Sequence, residues 1–138
     1  MKFSRNAKAA WQGAGQTGTG SLTTQSGVLE NTPYSFSRRF GEEKGTNPEE
    51  LIGAAHAGCF TMKLAFVLGD AGYTADSLET SAKVTFEDDR ISHILLDLTA
   101  KIQGIDEAKF LELANVAKET CPISLTINST IELKARLA

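Results

Sequence analysis

At 138 residues the chain has the length of one domain, and 41% apolar with 22% charged residues is an ordinary balance for a globular protein with a single core. A formal net charge of −3 and a pI near 5.4 supply no field that would draw nucleic acid or a membrane surface, so function has to reside in a site. Lys2, Arg5 and Lys8 open the chain with no apolar stretch behind them, which is not the pattern of a secretory signal, and a cytoplasmic location is expected. Residues 7–11, 21–24 and 34–40 then read as three short antiparallel strands, punctuated by Gly-rich and Asn-Thr-Pro turns, with Arg38 and Arg39 ending the third. After a polar loop over 41–47, Asn47-Pro48-Glu49-Glu50 offers an N-cap, a proline at the first helical position and a glutamate placed to close a capping box. A helix therefore starts at Pro48 and runs through 51–68 until Gly69 and Gly72 end it.

That helix is apolar almost all round, with His56, Thr61 and Lys63 the main interruptions. Its length suits a membrane span, but internal Lys63 and His56 and the acidic first turn argue for a buried helix. One small domain covers such a helix poorly, and a close homodimer covers it well; Gly53, Ala54, Ala55, Ala57 and Gly58 would let another backbone approach. Two alternating strands follow, with Leu78, Ala82, Val84 and Phe86 on one face of the first and Leu96, Leu98, Ala100 and Ile102 on one face of the second, joined by Glu87-Asp88-Asp89-Arg90. Asp106 caps a second helix carrying a stripe of Phe110, Leu113, Ala114 and Ala117, which Cys121-Pro122 stops. A last strand points Ile127, Ile131, Leu133 and Ala135 inward. The order is βββ-α-ββ-α-β, an α+β class in a single domain spanning 1–138.

The chemistry that the sequence offers is sulfur chemistry. In a reducing cytosol the only two cysteines, Cys59 and Cys121, are more naturally catalytic, metal-binding or inert than a permanent staple. Cys59 in an apolar helix is either a small buried hydrophobe or, given a nearby cation to hold its thiolate, a nucleophile. The candidate cations are Arg38 and Arg39; each also fits an exposed sheet edge. Glu49 and Glu50 are explained by capping and the helix dipole, and one of them is free to do more. Ten residues separate Glu49 from Cys59, roughly 15 Å along an unbroken helix, so a site using both would be shared between two subunits.

Cys121 precedes a proline that pushes it out of helical geometry, at a junction from which it could reach another sulfur or merely end a helix. His56, three residues before Cys59, is either a base toward that thiol or a packed core histidine. No CxxC is present and the Cys and His spacing is unlike a zinc site; Gly13, Gly15, Gly18 and Gly20 lack the strand-GxGxxG-helix order of a phosphate loop.

The run from Arg39 to Phe60, RFGEEKGTNPEELIGAAHAGCF, together with Ser26-Gly27-Val28-Leu29 and Cys121-Pro122-Ile123-Ser124, closely resembles the osmotically inducible protein C family, OsmC, more than its organic hydroperoxide resistance branch, Ohr. The resemblance spans essentially the whole chain. It implies an intertwined α+β homodimer, with sheets wrapped around two central helices and each active site at the subunit interface. It also implies roles: Cys59 as peroxidatic cysteine, Cys121 as resolving cysteine, Arg39 as holder of the thiolate and Glu49 as the carboxylate orienting Arg39. Arg38 departs from the family pattern, and Gly58 stands where alanine is usual. The implied activity is dithiol-dependent reduction of organic hydroperoxides, with a lipoyl-type or similar reductant and no metal, haem or flavin. The alternatives are a general thiol-disulfide oxidoreductase, which commonly carries a CxxC, and a non-enzymatic stress-related binding protein.

Overall fold

In the computed structural model, which describes residues 1–138, the chain divides into two compact units, Met1–Leu51 and Ile52–Ala138. The first is built on an antiparallel sheet of β1 (Ala7–Gln12), β2 (Thr19–Thr24) and β3 (Thr32–Tyr34), with β2 in the centre. The register runs from Ala7 opposite Thr24 to Gln12 opposite Thr19, and brings Gly20 opposite Tyr34. Three antiparallel strands were expected here, but the third lies earlier than residues 34–40 and is shorter. After Tyr34 the chain leaves the sheet and makes a 3₁₀ turn at Ser37–Arg39. The cause is local: Ser35 Oγ accepts from the Arg38 backbone N–H at 3.3 Å and lies 3.1 Å from Ser37 Oγ, giving the backbone a partner other than a sheet ladder. Arg38 and Arg39 thus stand on a turn, not at a strand end.

Helix α1 (Pro48–Asp70) begins where the capping pattern places it. Asn47 Oδ1 accepts the Glu50 backbone N–H at 2.8 Å, and Asn47 Nδ2 donates to Glu50 Oε1 at 3.1 Å. The far end is closed by a left-handed Gly72, φ +89°, with the Tyr73 N–H bonded to the Leu68 carbonyl and the Gly72 N–H to that of Gly69. This double closure satisfies carbonyls that the last turn would leave bare.

In the second unit, β4 (Ala75–Glu87) and β5 (Arg90–Ile102) form a long hairpin, and β6 (Thr130–Leu137) lies parallel to β5. The hairpin turns on Asp88 and Asp89, both at positive φ, the conformation a two-residue hairpin loop requires. A parallel neighbour needs a crossover, supplied by α2 (Glu107–Thr120) and α3 (Pro122–Thr126). The register stacks apolar rows across the sheet: Val84, Ile94 and Ile131; Ala82, Leu96 and Leu133; Leu78, Ala100 and Leu137.

Against those rows lie Phe60, Leu64 and Leu68 of α1 and Phe110, Leu113, Ala114 and Ala117 of α2, forming one buried core. Gly53 is the close approach of α1 to β4, since a Cβ there would stand 3.1 Å from Val84 Cγ2. Three details differ from the sequence reading. Phe86 lies beyond a register shift at Thr85 and Phe86 and is 47% exposed, so it leaves the inward face. Ile127 precedes β6 and ends α3. Helix α3 itself, one turn after Pro122, is additional.

Candidate active site

Cys121 follows the last residue of α2 and caps α3, held at φ −59° and ψ 128°, the extended geometry that a following proline imposes. Its N–H still bonds the Ala117 carbonyl, and its own carbonyl accepts the Leu125 N–H. The side chain is fully buried in the core, so this junction is packed and not an exposed swinging arm. Cys59, midway along α1, is half-buried, and both thiols are free.

Cys59 packs against the core cluster that contains Cys121. Burial pushes the Cys59 thiol above its ordinary value, and the neighbouring Cys121 thiol adds to the rise. The Ile123 backbone N–H and the Lys63 charge act in the opposite direction without reversing it. Left with these neighbours alone, Cys59 is a protonated thiol at neutral pH and a weak nucleophile.

His56 is wholly buried, its Nε2 lies 2.8 Å from Ser124 Oγ, and its Nδ1 has no partner. Burial lowers its pKa, so it is neutral at physiological pH. Of the two roles open to it from sequence, the packed core histidine is the one the hydrogen bond describes.

In the first unit the two arginines and the two glutamates are sorted. Arg39 grips Glu49 with two contacts, Nη2 to Oε1 at 3.0 Å and Nε to Oε2 at 3.2 Å, the two-pronged geometry that fits guanidinium to carboxylate. Glu50 is occupied by the Asn47 cap, which leaves Glu49 for the arginine. Arg38 is committed to its own loop, donating to the Lys44 carbonyl at 2.8 Å and to Ser35 Oγ at 3.3 Å.

The Arg39 guanidinium also lies over the Phe36 ring, 5.8 Å from its centroid. Beside it opens a cleft of about 170 Å³ lined by Trp11, Tyr34, Phe36 and Pro48. The Trp11 and Tyr34 rings stand 5.4 Å apart. Sequence reasoning passed over these aromatics; three ring-bearing residues within the first three strands and the turn after them were the available signal.

The four residues singled out from sequence thus form two pairs: Arg39 with Glu49 in the first unit and Cys59 with Cys121 in the second. Helix α1 is unbroken from Glu49 through Cys59.

Comparison with known proteins identifies the relatives of this chain. Residues 41–136 match the family described as OsmC-like protein. The chain is 42% identical to the protein named Peroxiredoxin OsmC of Escherichia coli strain K12, covering 99% of both chains. It is 31% identical to Organic hydroperoxide resistance protein OhrB of Bacillus subtilis strain 168, covering 86% of this chain and 88% of that one. The crystal structure of the Bacillus subtilis OhrB superposes with a TM-score of 0.68 at 26% identity, over 96% of this chain and 98% of that chain. With a family match over most of its length and relatives aligned along nearly all of it, this chain belongs to the OsmC-like protein family.

Proposed function

We propose that the protein is a thiol-dependent peroxidase that reduces organic hydroperoxides to alcohols in stress defence. The observation supporting this most directly is the pairing of a half-buried Cys59 with a buried Cys121 across two elements. Cys59 thiolate attacks the distal peroxide oxygen, the O–O bond breaks and the alcohol leaves with a proton. The resulting sulfenic acid condenses with Cys121 to a disulfide with loss of water, and a dithiol reductant of the lipoyl type reopens it by exchange.

The reading takes residues 1–138 as one OsmC-like domain of a soluble, cytoplasmic homodimer. Only 28% of the most apolar stretch of α1 is buried, and Ala54, Ala55, Gly58, Met62, Ala65 and Phe66 form an exposed stripe at helical spacing. A second copy covers that stripe. In the same dimer, Arg39 of the second copy, aligned by its Glu49, holds the Cys59 thiolate, and the aromatic cleft beside Arg39 favours alkyl or lipid hydroperoxides over hydrogen peroxide.

One stoichiometric addition of organic hydroperoxide tests the chemistry. It should convert the two free thiols of each chain into an intramolecular disulfide. Cys59→Ser should abolish turnover, and Cys121→Ser should react once and then stall or overoxidise. Full steady-state activity in Cys59→Ser would sink the assignment.

A further inference from the structure

His56 is the one wholly buried titratable side chain that the proposed chemistry does not use, and its placement is specific. It lies three residues before Cys59 on α1, and its partner Ser124 lies three residues after Cys121 on α3. On a helix, residues three apart share a face. The 2.8 Å contact of His56 Nε2 with Ser124 Oγ therefore runs between the same two segments that the disulfide would join. Resting on the peroxidase reading above, we infer that the His56–Ser124 hydrogen bond is a positioning contact, holding the Cys121 segment against α1 so that disulfide closure outpaces a second attack by peroxide.

Helix α3 has five residues, a single turn that has little stability of its own. Ile123 and Ile127 pack its apolar side against the core, and His56 holds it from α1. The buried Nδ1 defines the tautomer. With Nε2–H donating to Ser124 Oγ, Nδ1 is left as a bare lone pair, whereas the reverse assignment strands a buried N–H. Retaining an imidazole with one unsatisfied edge, where an apolar side chain would fill the core at no such cost, points to a use for the other edge.

The use follows from the two fates of a Cys59 sulfenic acid. In closure, the Cys121 sulfur attacks the Cys59 sulfur, the S–S bond forms, the S–O bond breaks, and the Cys121 proton leaves with the oxygen as water. In overoxidation, a second hydroperoxide transfers an oxygen to Cys59, its O–O bond breaks and an alcohol departs, leaving a sulfinic acid that no dithiol restores. The first fate depends on how well Cys121 is held and the second on peroxide concentration, so a positioning contact appears in their ratio.

The test follows Cys59 by rapid mixing with cumene hydroperoxide and by mass spectrometry of the products in wild type, Ser124→Ala, Ser124→Thr and His56→Leu. Ser124→Ala and His56→Leu should consume the first equivalent at a rate near wild type. They should close the disulfide about tenfold more slowly, the scale of effect expected when reacting groups are misplaced. Their sulfinic share should rise in proportion to hydroperoxide concentration. Ser124→Thr, which restores the hydroxyl, should return both readings to wild type. A merely structural role would lower melting temperature without moving the ratio. If His56→Leu does not fold, Ser124→Ala, which removes one oxygen atom, carries the test. Closure at the wild-type rate in folded Ser124→Ala overturns the inference alone. A wild type that consumes no hydroperoxide overturns the peroxidase reading, and this inference with it.

Discussion

Arg38 and Arg39 are neighbours in sequence with opposite commitments. Arg38 is bound to the Lys44 carbonyl and Ser35, while Arg39 faces Glu49 with two contacts. In the proposed dimer a guanidinium beside Cys59 opposes the burial that raises its pKa. Arg39→Ala should therefore move the pH profile of Cys59 alkylation upward. The rate at neutral pH should fall about tenfold for every pH unit by which the midpoint rises, and it should recover in alkaline buffer. Glu49→Gln should move the profile less, and Arg38→Ala should leave it in place while loosening the 41–47 loop. A change in Arg38→Ala with none in Arg39→Ala would reverse the assignment.

His56 makes a separate prediction at this scale. Its folded-state pKa is depressed by burial, so the folded chain resists a proton that the unfolded chain accepts. The stabilisation is complete above the ordinary histidine value of about 6.5 and is lost as pH falls below it. Denaturant midpoints should thus fall between pH 7 and 5 in wild type, and less steeply in His56→Gln.

At the scale of elements, α1 is set by its ends and α3 by its beginning. Asn47 and Glu50 satisfy each other across the first turn of α1, and replacing Asn47 with Ala should cost about 1 kcal/mol in chemical denaturation. Asp106, whose carboxylate accepts the Lys109 N–H at 2.7 Å, should cost a similar amount when replaced with Ala. Core substitutions belong to a larger class: Leu64→Ala, at a fully buried position between α1 and the second sheet, should cost about 2–5 kcal/mol. The short α3 has another origin. Pro122 ends α2, since its ring cannot continue the preceding hydrogen-bond ladder, and it is equally suited to the first position of a new helix. Cys121 is caught between the two.

For the whole molecule, the exposed apolar stripe on α1 is the feature one chain leaves open. Met62 and Phe66 are 64% and 66% exposed, although Leu64 between them is buried. Light scattering should give about twice 14.8 kDa at micromolar concentration. Phe66→Glu should bring the mass to that of one chain while sparing the core, in contrast to Leu64→Ala. Because the proposed cation comes from the second copy, Phe66→Glu should also reproduce the upward movement of the alkylation profile expected of Arg39→Ala. A monomeric Phe66→Glu with a wild-type alkylation profile would remove the shared site.

Much of the fold was legible because it rests on local rules. The Asn47-Pro48 start of α1, the Gly72 stop, the Asp88-Asp89 hairpin, the Asp106 cap and the two-residue alternation along β4 and β5 are each decided by residues a few positions apart. The candidate residues were visible in sequence for a different reason: only two cysteines exist, and the long run ending at Phe60 is distinctive. Which partners those residues take was a tertiary matter. The division of tasks between Arg38 and Arg39, and between Glu49 and Glu50, depends on groups that the 41–47 loop brings in, the Lys44 carbonyl for Arg38 and the Asn47 amide for Glu50. The Ser35 hydroxyl accepts the Arg38 backbone N–H and so holds a turn where the strand was expected to continue. His56 met Ser124 across 68 positions of chain, a contact that no periodicity encodes, because it arises only when α1 and the turn after Pro122 pack on the same core.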